Sequence, residues 1–151
     1  MSVNPFDPGT VLLAKHAQHL VLIHFPIALF TAAVAFDYLG AWTKSPTLAA
    51  AAYFNLLLAA LSTVPVVGTG LAAWQWALEG QHLKGILLMH LVLGCISSVL
   101  ICHVSFIHWR ARRHPERSLP GYRLPVEAIG VLLVGLTGHL GGFLSGVSGL
   151  G

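Results

Sequence analysis

The chain is 151 residues long, 56% hydrophobic and 9% charged, with a mean hydropathy of +0.77. Soluble domains carry about 25% charged residues, so this composition excludes a water-soluble fold and makes lipid the natural solvent. A formal charge of +3 and a pI near 9.2 do not point to nucleic acid, because most of the basic residues crowd into one short stretch.

The N-terminal segment MSVNPFDPGTVLLAKHAQ lacks a basic region running directly into an apolar core and a small-residue cleavage site. The first helix is therefore expected to serve as its own uncleaved signal. That helix is predicted over residues 17–42 and carries His19, His24, Pro26, Asp37 and Tyr38. Pro26 lacks a backbone donor, which frees the carbonyl of Leu22 one turn earlier. The second helix, 48–76, contains Pro65, which does the same for Leu61. The third, 83–109, holds His90, Cys95, Cys102 and His103. Cysteines seven residues apart on one helix cannot bridge, and these read as small core residues. The fourth, 125–148, has Gly138, Gly142 and Gly146 at intervals of four, a stripe that lets a neighbouring backbone, or a flat cofactor, approach closely.

Trp42, Trp74, Trp76 and Trp109 fall at predicted helix ends, where an indole ring suits the headgroup layer. The connections are short, so successive helices should be antiparallel neighbours. The expected fold is an all-α polytopic membrane protein, a single four-transmembrane-helix up-down-up-down bundle with no soluble domain and no clear repeat. Arg110, Arg112, Arg113, Arg117 and Arg123 lie in the third connection and Lys44 in the first, against Lys15 and Lys84 on the other side. The positive-inside rule then places a multi-pass protein in the bacterial inner membrane with both termini periplasmic.

Nine histidines accompany only eight Lys or Arg and five Asp or Glu residues. His16, His82, His108 and His114 fall at predicted helix ends or in connections and read as interfacial, and His19 sits near the outer boundary. His24, His90 and His139 are well inside three different helices. Counting at ~1.5 Å per residue places all three roughly 10–13 Å below the outer face. Polar groups at membrane depth are costly and by default mark a functional site. Facing imidazoles can hold a haem iron axially, three can bind zinc or copper, and any of them can instead hydrogen-bond a carbonyl freed by Pro26. His103 lies thirteen residues after His90 and so turns to a different face. The inner level offers Asp37 as its carboxylate, with no carboxylate pair and no partner histidine. One site is expected, near the outer face.

HLVLIHFPIALF in the first helix, LMHLVLG in the third and LTGHLGG in the fourth resemble the domain-of-unknown-function 2231 family of four-helix bacterial membrane proteins. The match runs from about His19 to Gly149 and rests on His24, Phe25 and Pro26, on His90, and on Thr137, Gly138, Leu140, Gly141 and Gly142. His19 is followed by Leu20 where the family has proline. The resemblance implies the four-helix architecture and draws attention to His24 and His90; it implies no established activity.

Together these readings predict a b-type cytochrome-like electron-transfer subunit of a larger membrane redox complex, holding one haem b. His24 and His90 are the expected iron ligands, with His139 beside them and Gly138 and Gly142 as the face for the macrocycle. The expected partners are lipid, other subunits, and quinone or a periplasmic electron carrier, with no nucleic acid. There is no domain for substrate chemistry, so no catalytic activity of its own is expected. The alternatives are a non-redox scaffold or anchor subunit and, disfavoured by the near absence of interior carboxylates, a metal-handling or transport protein.

Overall fold

The computed structural model describes residues 15–76, 79, 80, 82–114, 116 and 118–145. These form five helices and short connections, with no strand among the described residues. The first span is α1 (Lys15–Leu22) and α2 (His24–Thr43), separated by the single turn residue Ile23. Pro26 explains the break: it has no N–H to close a ring on Leu22, and the next amide, that of Ile27, reaches the Ile23 carbonyl at a stretched 3.4 Å. The remaining spans are α3 (Pro46–Trp76), α4 (Gly85–Arg113) and α5 (Arg123–Leu144). All four are long and apolar enough to cross a membrane.

Neighbours in sequence pack against each other, and α5 returns to α2, so the spans form a closed antiparallel ring. At the turn between α2 and α3, Lys44 adopts a left-handed conformation (φ 54°) and donates its amide to the Gly40 carbonyl. Gly40 lets the two helices close on each other there, since a Cβ on it would stand 3.2 Å from the Ala49 nitrogen and 3.3 Å from Leu48 Cβ. The core lies at mid-bundle, where Phe30, Ala33 and Val34 of α2 meet Leu56 and Ala59 of α3, Ile101 and Val104 of α4, and Val134 of α5. Gly130 admits the Phe30 ring, because a Cβ there would sit 2.8 Å from that ring and 2.6 Å from Leu100 Cδ2. Outside this plug, apolar side chains such as Val64, Val99 and Leu132 are more than two-thirds exposed, as lipid-facing residues should be.

Two helix ends differ from the sequence reading in a way that matters for the site. The third span continues one turn past Trp109 to Arg113, with three arginines in its last turn, where cations complement the helix dipole. The fourth begins at Arg123 rather than Pro125, and the proline occupies the first turn, where its missing donor costs nothing. Both cysteines are exposed rather than buried in the core; Cys102 Sγ stands 3.9 Å from Thr63 Oγ1 of α3. Arg117, Gly146 and Ser148 lie outside the described residues.

Candidate functional site

A cavity of about 380 Å³ lies in the half of the bundle away from the two basic connections, walled by all four spans. His19 of α1 and His90 of α4 both line it, with ring centroids 6.4 Å apart and planes at 87°. The rest of the lining is mostly Leu, Ile, Val, Ala and Gly.

The hydrogen bonds around the two rings define their protonation pattern. The Thr69 hydroxyl can give its one proton to the carbonyl of Pro65 (2.8 Å) or Val66 (3.1 Å), and its oxygen then can accept an N–H from His19 Nδ1, 3.2 Å away. The Thr137 carbonyl, which can only accept, takes His90 Nδ1–H at 3.0 Å. A neutral His90 therefore carries its proton on Nδ1 and leaves Nε2 unprotonated, and His19 can take the same tautomer, the one in which a histidine ligates a metal while a second group orients it. A glycine lies under each ring. A Cβ on Gly70 would stand 2.9 Å from His19 Cε1, and one on Gly141 would stand 3.1 Å from His90 Cε1. Thr137 is itself steadied, since its hydroxyl donates to the Leu133 carbonyl (2.7 Å) and meets buried Ser97 at 3.3 Å.

The structure brings His90 to His19, not to His24. Residues 19 and 24 are five apart, about 140° of helical turn, so only one of them faces the bundle. His24 is exposed, and its Nδ1–H donates to the Leu20 carbonyl at 2.7 Å, beside the break at Ile23. His139 is also exposed, its ring edge-on to Phe143 at 4.9 Å; it follows Thr137 by two residues and thus looks the opposite way. Gly138 lines the cavity, and a Cβ on it would stand 3.4 Å from Ile27 Cδ1, whereas a Cβ on Gly142 would meet nothing within 4 Å. Depth along the helix was readable by counting; orientation separated the histidines.

A second constellation occupies the opposite end of the bundle, just inside the basic connections. His108 Nε2 lies 3.1 Å from Glu127 Oε1 and 3.9 Å from Asp37 Oδ2. Arg123 Nε donates to Asp37 Oδ2 at 2.7 Å, and a second guanidinium nitrogen stands 3.5 Å from Oδ1. Asp37, His108 and Glu127 are 3%, 5% and 0% exposed. This corrects the expectation that His108 is interfacial and that the interior holds no carboxylate pair at one level. The extra turn of α4 carries His108 inward, and the earlier start of α5 turns Arg123 and Glu127 onto the face toward α2 and α4.

The sequence did hold a signal for both places. HLVL occurs at residues 19–22 and again at 90–93, and Asp37 follows His19 by the same eighteen residues that separate His108 from His90. Eighteen residues are five helical turns, so each pair shares a face roughly 27 Å apart along its span. The two parallel spans thus carry matching polar positions at both ends, a repeat hidden by divergent intervening residues.

Compared with known proteins, residues 15–151 match the DUF2231 family, described as a predicted membrane protein. No curated protein matches, and no solved structure matches.

Proposed function

This chain belongs to the DUF2231 family of predicted membrane proteins, and on that footing we propose that it is a membrane-embedded electron-transfer subunit of b-cytochrome type, with His19 and His90 as the ligands of one haem. The observation that carries this reading is the pairing of two imidazoles 6.4 Å apart in an apolar cavity, each with its Nδ1 at a threonine oxygen. Two imidazoles bound through nitrogen to one metal stand roughly 6 Å apart between ring centres, given bonds of ~2.0–2.1 Å. The cavity volume, about 380 Å³, falls within the ~300–1,000 Å³ of ordinary cofactor pockets.

A haem held by two histidines supplies one-electron transfer. The chain's own residues do the rest. Thr69 and the Thr137 carbonyl orient the rings, Gly70 and Gly141 leave room for them, and the lining is largely aliphatic. A subunit of this kind works beside other subunits and exchanges electrons with quinone or a periplasmic carrier. The charge bias of the connections supports an orientation with the histidine end on the periplasmic side of a bacterial inner membrane. The second reading, a non-redox anchor subunit, is favoured by His24, whose ring serves a backbone carbonyl at a helix break.

The test is the absorption spectrum of the purified full chain with a pyridine haemochrome assay. The expected result is one haem per chain and a reduced spectrum with a Soret band and split α/β bands. His19→Ala and His90→Ala should each abolish it, while His24→Ala and His139→Ala should leave it. No haem in the wild-type protein, or stoichiometric zinc or copper in its place, overturns the proposal, as does loss of haem in His24→Ala with retention in His19→Ala.

A further inference from the structure

The buried cluster at the basic end has no part in the proposed haem site, from which the core around Phe30, Leu56, Ile101, Val104 and Val134 separates it. We infer that the juxtaposition of Asp37, Arg123, His108 and Glu127 forms a binding site for a single exchangeable proton, held on the His108–Glu127 link and reached from the basic end of the bundle.

The argument begins with charge. Two carboxylates, one guanidinium and a neutral imidazole leave one net negative charge among residues at most 5% exposed, apart from Arg123. No compensating cation comes from the element that closes the ring, since α3 contains no Asp, Glu, Lys, Arg or His. Its Tyr53 is covered by the Arg112 guanidinium, 4.7 Å from the ring centre. From α2, Asp37 is the group facing the cluster; from α4, His108; from α5, Arg123 and Glu127. An uncompensated charge in such surroundings is expensive. One proton brings the cluster to neutrality. A divalent cation beside a neutral imidazole would overshoot to one net positive charge, so the three potential ligand groups, although close enough for a metal, match a proton better.

Bonding points the same way. Glu127 Oε2 is fully buried and has no hydrogen-bond partner among the described residues, while Oε1 meets His108 Nε2 at 3.1 Å. An ionised carboxylate with one oxygen unpartnered is the costly form of that side chain; a protonated carboxyl with Oε1 on the imidazole is the cheaper one. The transfer balances simply: the proton leaves Glu127 for His108 Nε2 or returns along the same 3.1 Å link, and the site gains or loses it by exchange with a hydronium ion. Arg123, whose side chain is 13% exposed, is the member that touches the surface and marks the entry. The Asp37 carboxylate holds Arg123 by two contacts, so the guanidinium stays in place whichever way the proton moves.

The test is infrared spectroscopy of the full chain in liposomes across a pH titration, in H₂O and D₂O. The expected result is one titrating carboxyl C=O band that shifts in D₂O and disappears in Glu127→Gln. His108→Gln removes the group that shares the proton, and the band should then persist through the whole titration. Glu127→Asp, which keeps a carboxyl, should retain a titrating band and serves if the glutamine variant does not fold. The inference is overturned if no buried carboxyl titrates while the protein stays folded, which marks a fixed ion-pair network. It is also overturned if the band survives in Glu127→Gln, or if the protein carries a stoichiometric metal that His108→Gln releases.

Discussion

The two ends of the bundle use histidine in opposite ways. At one end His19 and His90 border a roomy apolar cavity, each with its Nδ1 at a threonine oxygen and a glycine under the ring. At the other, His108 is packed without space among three charged side chains from two other helices. Both places stand at matching positions on the same two parallel spans, so the difference comes from what the partner helices offer. In the cavity half, α3 and α5 contribute glycines and threonines; at the basic end, α5 contributes Arg123 and Glu127. The contrast teaches that a polar group in a membrane bundle is kept either for something it receives or for the charges around it. The two cases respond differently to deletion.

The largest expected effect is therefore at the basic end. Asp37→Ala leaves Arg123 beside His108 with no carboxylate to hold it, and removing one partner of a buried pair costs about 3–5 kcal/mol. His90→Ala removes the hydrogen bond to the Thr137 carbonyl at a cavity wall and should cost about 1 kcal/mol, with His19→Ala also well below the loss at the basic end. Thermal unfolding in detergent, followed by circular dichroism, separates the two. Equal losses at both ends would break the contrast and make the histidine pair a structural element.

Next in size is the core between them. Gly130→Ala forces a methyl to within 2.6 Å of Leu100 Cδ2 and 2.8 Å of the Phe30 ring. Overpacking of this kind costs about 1–3 kcal/mol, and the same unfolding measurement reads it. Because Gly130 is one turn from Glu127 and distant from His90, the variant should disturb the carboxyl band at the basic end while leaving the cavity histidines unaffected. Disturbance of both ends would show that the plug couples them.

How much of this was written in the chain depends on which physical demand is asked about. Spans were legible because lipid requires long uninterrupted apolar runs, and the four runs stand out at once. That His90 turns to the bundle interior was legible too, since an imidazole at that depth needs a partner. Its partner was not, because choosing between His19 and His24 depends on the helix phase, and the Pro26 break lies close to both. The cluster was hidden for a different reason. Arg123 and Glu127 fall in GYRLPVEAIG, where glycine, proline and charge read as a connection, and His108 is followed by Trp109 and a run of arginines that read as a boundary. Only the equal spacing of eighteen residues in the first and third spans points to Asp37 and His108 as counterparts of His19 and His90.

The smallest expected effects lie among the glycines of the cavity half, and they test the histidine site most finely. Gly142→Ala meets nothing within 4 Å, and replacing an open helical glycine by alanine should be neutral or stabilising by up to about 1 kcal/mol. Gly70→Ala brings a methyl to 2.9 Å from His19 Cε1, and Gly141→Ala brings one to 3.1 Å from His90 Cε1. Neither change removes a ligand atom or a charge, so stability should move little. What should move is ring position, and with it haem retention, falling more in Gly70→Ala than in Gly141→Ala and not at all in Gly142→Ala. A stripe of glycines serving only helix packing would give the reverse pattern: stability losses that follow packing, with no dependence on which histidine lies above. Measuring haem per chain and unfolding midpoint on the same three preparations distinguishes a cradle for two rings from a seam between two helices.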